Sequence, residues 1–397
     1  MTRDRFQILS KFLHCNNNLT QMPRGDENYD PSHKFRPILD LLNDTFPKAY
    51  DLARDLTIDE SMVGFKGRND IVQYVPAKKS HQWGAKLFVL AESDTGFNAA
   101  MQLYAGRQGG AARSVHGVGY EVVMQLMEPY LYRYHHLVCD NYFTSPALCS
   151  SLFDKDTYMT GTVRVYRKGM PKSLKNLKLQ RGESLVKQSG PIMALCYGDR
   201  KTVTFMSTLS YFIRIPFINK TVPIKEIYVS IYYSVIATHN ARGVEIQIPA
   251  VNCVYNQKMG GVDLSDKSLE LYDPDIRSNK MWKRILFNLL LRVISNAYII
   301  YRQNRGLRTK MNRMDFQMGV CLGLVGNFRQ PRRLAGRPSL SAQARLTERH
   351  FIEQLDGRKR KVCVICKSKI RSWCASCGIG LCLKCFVTFH TTRQFEE

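Results

Sequence analysis

Six cysteines near the end of the chain form three C-x-x-C pairs, and this spacing constrains the local fold more tightly than any other feature. The pairs are Cys363/Cys366, Cys374/Cys377 and Cys382/Cys385. Two thiolates at this spacing can bind one side of a tetrahedral Zn²⁺ ion, so three pairs supply six of the eight ligands that two ions need. His390 is the natural seventh ligand, and His350 is the candidate for the eighth. A lone helical histidine that is only solvated or packed is the alternative for His350.

The rest of the chain gives no sign of secretion or of membrane insertion. The first residues, MTRDRFQILS, carry charges where a signal peptide needs an apolar core, so we expect a reducing compartment. Clustered cysteines in such a compartment are metal ligands more often than disulfide partners. The most apolar stretch, ILFNLLLRVISNAYIIY, has the period of a buried amphipathic helix, and we expect no transmembrane helix.

The charge balance points to a polyanionic partner. The chain of 397 residues carries 58 Lys and Arg against 33 Asp and Glu, a formal net charge of +25. Nucleic acid is the first expectation for such an excess, ahead of a membrane surface. A basic surface with no dedicated partner is the alternative, because net charge alone specifies neither a fold nor a ligand.

Hydrophobic spacing divides the chain into helical and extended segments. Residues 1 to about 52 have helical spacing in DRFQILSKFLHC and KFRPILDLLNDTF. LTIDESMVGF, DIVQYVP and AKLFVLAESDTGFNAAMQLYAG predict strands, with SDTG as a turn. A helix in GYEVVMQLMEPYLYRY, a short strand ending at Asp140 and a helix in SPALCSSLF follow. This order predicts a mixed α/β sheet with functional residues at strand ends. Residues 160–250 then favour further strands, and residues 270–325 return to helical spacing.

Four aspartates lie at ends of these segments. Asp59 lies in LTIDE, Asp140 ends the run LVCD, and Asp263 and Asp266 follow two glycines in GGVDLSDK. Spacing of three places Asp263 and Asp266 on one face of a helix. Three carboxylates from separate segments match a two-metal phosphoryl-transfer site, because Mg²⁺ prefers oxygen ligands. Each also has an ordinary alternative as a strand-end acid, a turn residue or a helix N-cap.

Several motifs together resemble the piggyBac transposase family. LTIDESMVGFKGR, LVCDNYFTS and YNQKMGGVDLSDK each look like a family signature, in the same order and at similar spacing. RDRFQILSKFLH and NKMWKRILFNLLLRVISNAYIIY also resemble the family, so the resemblance covers most of the chain.

This resemblance implies an RNase H-like catalytic domain with a β-rich insertion and helical regions for DNA binding and dimerisation. Its carboxylate triad would fall on Asp59, Asp140 and Asp263, with Asp266 as an additional acid. Family members cut transposon ends with Mg²⁺, form hairpins on those ends and insert at TTAA in double-stranded DNA. A nuclear homodimer without membrane contact is therefore expected.

The resemblance also implies that the tail is a cross-brace zinc domain that binds the DNA of transposon ends. Four basic residues directly precede the first cysteine pair: Arg358, Lys359, Arg360 and Lys361. They are candidates for phosphate contacts, for a nuclear localisation run, or for both.

The expected domain order follows the family. Residues 1–54 and 273–328 form helical dimerisation and DNA-binding parts, and residues 55–165 and 251–272 form the catalytic domain. Residues 166–250 form the β-rich insertion, 329–349 a basic linker and 350–397 the zinc domain.

Two departures from the family pattern favour a second hypothesis. The family usually has an acidic leader before RDRF, so residues 1–54 are expected to lack their N-terminal part. The Ile/Tyr/Val-rich segment 211–236 has no usual counterpart, so it is either an insertion or a gene-model artefact. The alternative is a domesticated or truncated DNA-binding relative without transposition activity.

Overall fold

The computed structural model describes residues 2–76, 82–106, 115–209, 235–239, 245–273, 278–306, 311–326, 346 and 349–392. These residues form two compact units, Met1–Gln317 and Met318–Glu397, which are described separately. The segment 211–236 lies almost wholly outside the described residues, as does the basic linker expected at 329–349.

The helices within these ranges are labelled in chain order. They are α1 (Arg3–Phe12), α2 (Arg36–Ala49), α3 (Val118–Met127), α4 (Pro146–Phe153), α5 (Ala250–Lys258), α6 (Gly261–Glu270), α7 (Met281–Arg305), α8 (Arg313–Val325) and α9 (Leu383–Thr391). Short 3₁₀ turns occur at Asn18–Thr20, Glu128–Tyr130 and Lys172–Leu174.

Most of the strands belong to the first unit. They are β1 (Asp55–Gly64), β2 (Val72–Tyr74), β3 (Trp83–Glu92), β4 (Asn98–Tyr104), β5 (His136–Cys139), β6 (Tyr158–Thr162), β7 (Ser184–Ser189), β8 (Ile192–Gly198), β9 (Thr202–Ser207), β10 (Val235–His239) and β11 (Glu245–Pro249). The strands of the second unit are β12 (Ile352–Gln354), β13 (Lys361–Val362), β14 (Lys369–Ile370), β15 (Ser372–Cys374) and β16 (Ile379–Gly380).

A nine-stranded mixed sheet organises the first unit. Its order is β2-β3-β1-β5-β6-β9-β8-β7, with β4 also paired to β3. The central strands β1, β5 and β6 are parallel, whereas β3 and β9 run antiparallel to their neighbours β1 and β6. The mixed α/β sheet predicted from the sequence is therefore confirmed. Strands β7 to β9, from the segment after residue 165, continue this same sheet.

Apolar side chains cover both faces of the sheet because alternate residues of a strand point to opposite faces. Leu56 and Ile58 of β1 pack on one face with buried residues of α3 and α4. Val63 of β1 and Val89 of β3 pack on the other face with α2, α6 and α7. Asp59, which β-sheet pairing places opposite Val89, belongs to this second face.

The periodicity predicts most elements correctly and fails at one helix end. Helices α1, α2, α4, α7 and α8, strands β1 to β5 and the SDTG turn lie where the pattern predicts them. The helix predicted through Tyr134 is wrong after Met127, because Pro129 enters a 3₁₀ turn. Tyr132 and Tyr134 then have left-handed backbone angles, with φ of 63° and 58°.

Helix α7 is long and apolar enough to cross a membrane by length and composition alone. In the described structure it is a core helix, since Ile285 and Leu289 are fully buried against the sheet. This packing is the one predicted for the stretch ILFNLLLRVISNAYIIY.

Candidate active site and metal centres

Asp59 and Asp140 occupy adjacent positions on two parallel strands. The last paired residues of β1 and β5 are Ile58 and Cys139, and the two aspartates come directly after them. Neighbouring strands lie about 4.8 Å apart, so the two backbones are close at this point. Asp140 ends its strand as expected, but Asp59 does not: β1 continues to Gly64 because its other edge is paired with β3.

A tight turn after β5 fixes Asp140. Its carboxylate accepts a hydrogen bond from the backbone N–H of Tyr142 at 2.8 Å. Its backbone carbonyl accepts bonds from Thr144, through the N–H at 3.1 Å and through the hydroxyl at 2.8 Å. Helix α4 begins directly afterwards, with the Ser145 hydroxyl accepting from the N–H of Leu148 as an N-cap.

Electrostatics at Asp140 favour a nearby cation. Burial raises the pKa of Asp140, and the negative charge of Glu60 raises it further, whereas the Tyr142 N–H lowers it. Glu60 itself is paired with Lys86, whose ammonium lies 4.8 Å from the ring centroid of Phe88. A positive ion at the carboxylate would oppose the effects of burial and of Glu60.

The pKa of Tyr255, on α5, responds to the charges of both Asp59 and Asp140, so both carboxylates lie near the same phenol group. Burial raises the pKa of Tyr255 to about 12, and the charges of Asp140 and Asp59 add to the effect. The phenol also has a side-chain hydrogen bond with Thr162 of β6. Sequence reasoning missed this residue, since nothing in YNQK distinguishes a tyrosine that folds close to Asp59 and Asp140.

Gly261 lets α6, the helix that carries Asp263, approach the sheet closely. A Cβ atom on Gly261 would lie 2.6 Å from the Glu92 carbonyl oxygen and 2.6 Å from Thr57 Cγ2. The hydroxyl of Thr57 donates to the Met259 carbonyl at 3.1 Å, just before the helix begins. Asp263 is exposed in the first turn of α6, and the N-cap is Gly260, so the N-cap alternative for Asp263 is wrong. Gly261 therefore serves close packing.

Asp266 lies one turn further along α6 and faces the protein interior. Its Oδ1 accepts a hydrogen bond from the Ser61 hydroxyl at 2.6 Å. The Arg292 guanidinium approaches the same oxygen at 3.3 Å. Ser61 follows Asp59 by two residues and therefore lies on the same face of β1. Sequence reasoning missed Arg292; the one signal was a single arginine inside the apolar run LLLRVIS.

Asp59 and Asp140 thus lie side by side on β1 and at the end of β5, and α6, which packs on β1, carries Asp263 and Asp266. The four carboxylates do not form a closed ligand set. Among the described residues, groups of three or more metal-ligating side chains within 4.8 Å of one another occur only in the cysteine-rich tail. Asp59, Asp140 and Asp263 offer only carboxylate oxygens, which is the donor type that Mg²⁺ requires. The donor chemistry fits a hard divalent ion.

A basic cleft opens beside the turn that carries Asp140. It has a volume of about 630 Å³, and its lining includes Tyr142, Arg164, Arg167 and Lys168. Arg164 donates to the Asn141 side chain at 3.0 Å, and Arg167 donates to the Asn141 carbonyl at 2.8 Å. These bonds attach two cations to the turn that carries Asp140. Sequence reasoning missed this cleft, although RVYRK is a local cluster of positive charge.

The tail side chains gather into two groups of four that could each hold a metal ion. One group is Cys363, Cys366, Cys382 and Cys385, and the other is His350, Cys374, Cys377 and His390. The two groups alternate along the chain: the first and third C-x-x-C pairs share one group, and the second pair joins the two histidines.

Distances within the groups match tetrahedral coordination. The Sγ atoms of Cys366 and Cys382 are 3.8 Å apart, close to the ~3.8 Å expected for two thiolates on one Zn²⁺. Cys377 Sγ lies 3.3 Å from His350 Nδ1 and 3.4 Å from His390 Nε2. The other ring nitrogen of His390 donates to the Phe386 carbonyl at 2.8 Å, which fixes the ring with Nε2 towards the cysteine.

The basic run before the first cysteine pair is not uniform. Arg358, Lys359 and Arg360 are exposed, whereas Lys361 is half-buried. The Lys361 ammonium lies 3.9 Å from the ring centroid of Trp373 and donates to the Gly378 carbonyl at 3.1 Å. Three of the four cations therefore remain open to solvent.

Comparisons with known proteins agree on one family. A family model described as Transposase IS4 matches residues 1–298. The human piggyBac transposable element-derived protein 3 is 25% identical over 409 aligned positions, which span 98% of this chain and 63% of the relative. The human piggyBac transposable element-derived protein 2 is 24% identical over 401 positions, with 98% and 63% coverage. The chain thus spans less than two thirds of the length of these curated relatives.

A solved structure shares the fold. A cryo-EM structure of a piggyBac transposase synaptic complex with hairpin DNA superimposes with a TM-score of 0.70 at 23% identity. The match covers 97% of this chain and 80% of that one.

Proposed function

The chain belongs to the transposase family that the Transposase IS4 model describes, in its piggyBac group, and from this premise we propose that it is a cut-and-paste DNA transposase. The observation that carries the proposal is the position of three carboxylates: Asp59 and Asp140 follow paired residues of adjacent parallel strands, and Asp263 is carried by a helix packed on one of those strands. The proposed domain is RNase H-like, with 55–165 and 251–272 as its two parts.

We assign the binding of two Mg²⁺ ions to Asp59, Asp140 and Asp263. When bound, such a pair of ions activates the attacking oxygen and stabilises the leaving oxygen in phosphoryl transfer. The protein contributes rigid placement. Asp59 is held inside β1 by its pairing with Val89 of β3, directly after the last pair between β1 and β5, and Asp140 is held by the turn that Thr144 closes. Asp263 is held by the close packing of α6 on β1.

DNA is the proposed substrate of this site. The cleft with Arg164, Arg167 and Lys168 begins at the Asp140 turn, and its cations suit the phosphates of a DNA strand. The net charge of +25 provides long-range attraction for the same polyanion. Transposon ends and TTAA targets are the proposed specific sites, and a nuclear homodimer is the proposed working form.

We further propose that the tail binds two Zn²⁺ ions, with the alternating groups of four as their ligand sets. Thiolate and imidazole ligands at these distances suit Zn²⁺ better than Mg²⁺. The exposed cations Arg358, Lys359 and Arg360 would contact DNA phosphates beside this scaffold, which is better suited to base recognition than a segment that offers only charge.

An excision assay in cells tests the proposal. The donor plasmid carries the inverted repeats that flank the gene in its source genome, and a gel-shift assay measures binding to the same ends. The wild-type chain should excise the element. The Asp140→Ala variant should bind the ends but leave the element in place, because removal of one ligand disables a two-metal site. Wild-type binding without any excision would instead favour the domesticated DNA-binding alternative, and excision by Asp140→Ala would refute the site assignment.

A further inference from the structure

Arg292 lies at the centre of a polar network beneath the candidate active site. Its side chain is fully buried on the face of α7 that packs against the sheet. Nη1 donates to the Asn98 side chain at 2.5 Å, and Nε donates to Asn288 at 2.9 Å. Nη2 donates to the Ser61 hydroxyl at 2.5 Å and approaches Asp266 at 3.3 Å. One guanidinium therefore joins β1, β4, α6 and α7.

The network holds α6 at two consecutive residues. Asn98 donates through its side-chain amide to the Ser265 hydroxyl at 2.8 Å. Asn98 is itself fixed by Asn296, which accepts from its backbone N–H at 2.9 Å and donates to its carbonyl at 2.8 Å. Asp266, the next residue of α6, binds Ser61 and Arg292. Helix α6 is thus attached to the core by hydrogen bonds on its inner face.

The charge of Asp266 is needed by Arg292. Burial lowers the pKa of Arg292, and the carboxylate of Asp266 opposes this shift. A buried guanidinium that loses its counter-charge destabilises a protein strongly, whereas a neutral replacement of both partners is often tolerated. The side chain of Asp266 is 22% exposed, so this pair lies at the border between the core and the carboxylate site.

We propose that Asp266 is a positioning residue that acts through Arg292 and Ser61, and that it is not a metal ligand. The proposal rests on the proposed function. Ser61 and Asp59 share one face of β1, and Asp263 precedes Asp266 by three residues on α6. Strand β1 therefore carries both Ser61 and the proposed ligand Asp59, and α6 carries both Asp266 and the proposed ligand Asp263. The bond from Ser61 to Asp266 sets where Asp263 stands relative to Asp59.

A double-mutant cycle separates the two roles. Mn²⁺ binding and thermal unfolding are measured on the full chain for Asp266→Asn, Arg292→Gln and the double variant. Each protein is first loaded with two equivalents of Zn²⁺ for the tail thiolates and freed of unbound Zn²⁺, which would otherwise compete with Mn²⁺ for the carboxylates. Asp266→Asn should weaken Mn²⁺ binding about 10- to 100-fold, the range for residues that orient metal ligands, and lower the unfolding temperature. The double variant should regain both the Mn²⁺ affinity and the unfolding temperature, because no unpaired buried charge remains. Asp263→Asn serves as the reference for loss of a metal ligand. Adding Arg292→Gln to the Asp263→Asn variant should not restore its Mn²⁺ binding.

Three results would overturn the proposal. A double variant that binds Mn²⁺ as weakly as Asp266→Asn would make Asp266 a ligand. Ser61→Ala, a milder change suited to the case in which Arg292→Gln does not fold, should also weaken Mn²⁺ binding, and unchanged affinity would refute the anchor. A wild-type chain that binds no Mn²⁺ would refute the two-metal function and, with it, this role of Asp266.

Discussion

The glycine pair before Asp263 allows a test in which neighbouring residues serve as experiment and control. In Gly261→Ala the new methyl group would lie 2.6 Å from the Glu92 carbonyl oxygen, 2.6 Å from Thr57 Cγ2 and 2.9 Å from Ser93 Cα. Ordinary contacts are about 3.5 Å or more, so α6 must move away from the sheet by about 1 Å. Two of the obstacles are backbone atoms, and the third belongs to a side chain held by its bond to Met259. None of these three atoms can be moved aside by a low-energy side-chain rotation.

The expected effects on stability and on activity differ in size. Overpacking of this kind costs about 1–3 kcal/mol, and the better helix propensity of Ala offsets up to about 1 kcal/mol of it. A displacement of about 1 Å at a reacting centre can cost about 100-fold in rate. Gly261→Ala should therefore remain folded and lose most of its cleavage activity.

Gly260→Ala is the matched control. No atom lies within 4 Å of its Cβ position, and its φ of −81° is open to alanine. Loss of a glycine N-cap should cost less than about 1 kcal/mol. Urea unfolding gives the stability of both variants, and single-turnover cleavage of a transposon-end duplex at saturating Mg²⁺ gives their rates. Equal rates for Gly261→Ala and Gly260→Ala would refute the view that close packing of α6 places Asp263.

Three further predictions concern other parts of the molecule. Metal analysis should find two Zn²⁺ ions per wild-type chain and one in His350→Ala, because the four-cysteine group does not use that histidine; one ion or none in the wild type would refute the two-site assignment. Burial lowers the pKa of His136, so the unfolded chain binds a proton at this residue more readily than the folded chain does, and the free energy of unfolding should fall as pH drops below about 6.5. Urea unfolding of His136→Gln should show a weaker pH dependence of stability in this range, and a dependence equal to that of the wild type would contradict the prediction. Neutralising the three exposed cations at 358–360 should reduce the slope of log affinity against log salt by about 0.9 for each DNA phosphate that the protein no longer neutralises, and an unchanged slope in binding titrations would exclude them from the DNA interface.

The sequence predicts the local elements well because their signals are local. The alternation in LTIDESMVGF specifies a strand, and the spacing in ILFNLLLRVIS specifies a buried helix. Pro129 shows the limit of periodicity, since the apolar pattern continues through Tyr130 while the ring of proline ends the regular helix.

The relations between elements are harder to predict, because they depend on which strands pair. A strand-end acid is one alternative for Asp59, yet Asp59 lies inside β1, since pairing with β3 extends the strand beyond its last pair with β5. The environment of Asp266 depends on Arg292 and Asn98, which are distant in sequence and meet only after α7 packs on β4. The division of the tail ligands into two groups also follows from the folded arrangement, because three equal C-x-x-C pairs do not indicate which of them share a group.

The alternation of the two tail groups has a consequence for how this unit is made in the cell. In each group the ligands lie on both sides of a C-x-x-C pair that belongs to the other group. Neither ligand set is therefore complete when only the first half of the segment has left the ribosome. The Cys363 group is complete only when Cys385 has emerged, and the His350 group only when His390 follows it. Cysteines that emerge early therefore lack the other ligands of their group, and until those are synthesised their thiolates can be oxidised or can bind another metal. Maturation of this unit should depend on zinc supply after synthesis of its last residues, in one late and cooperative step.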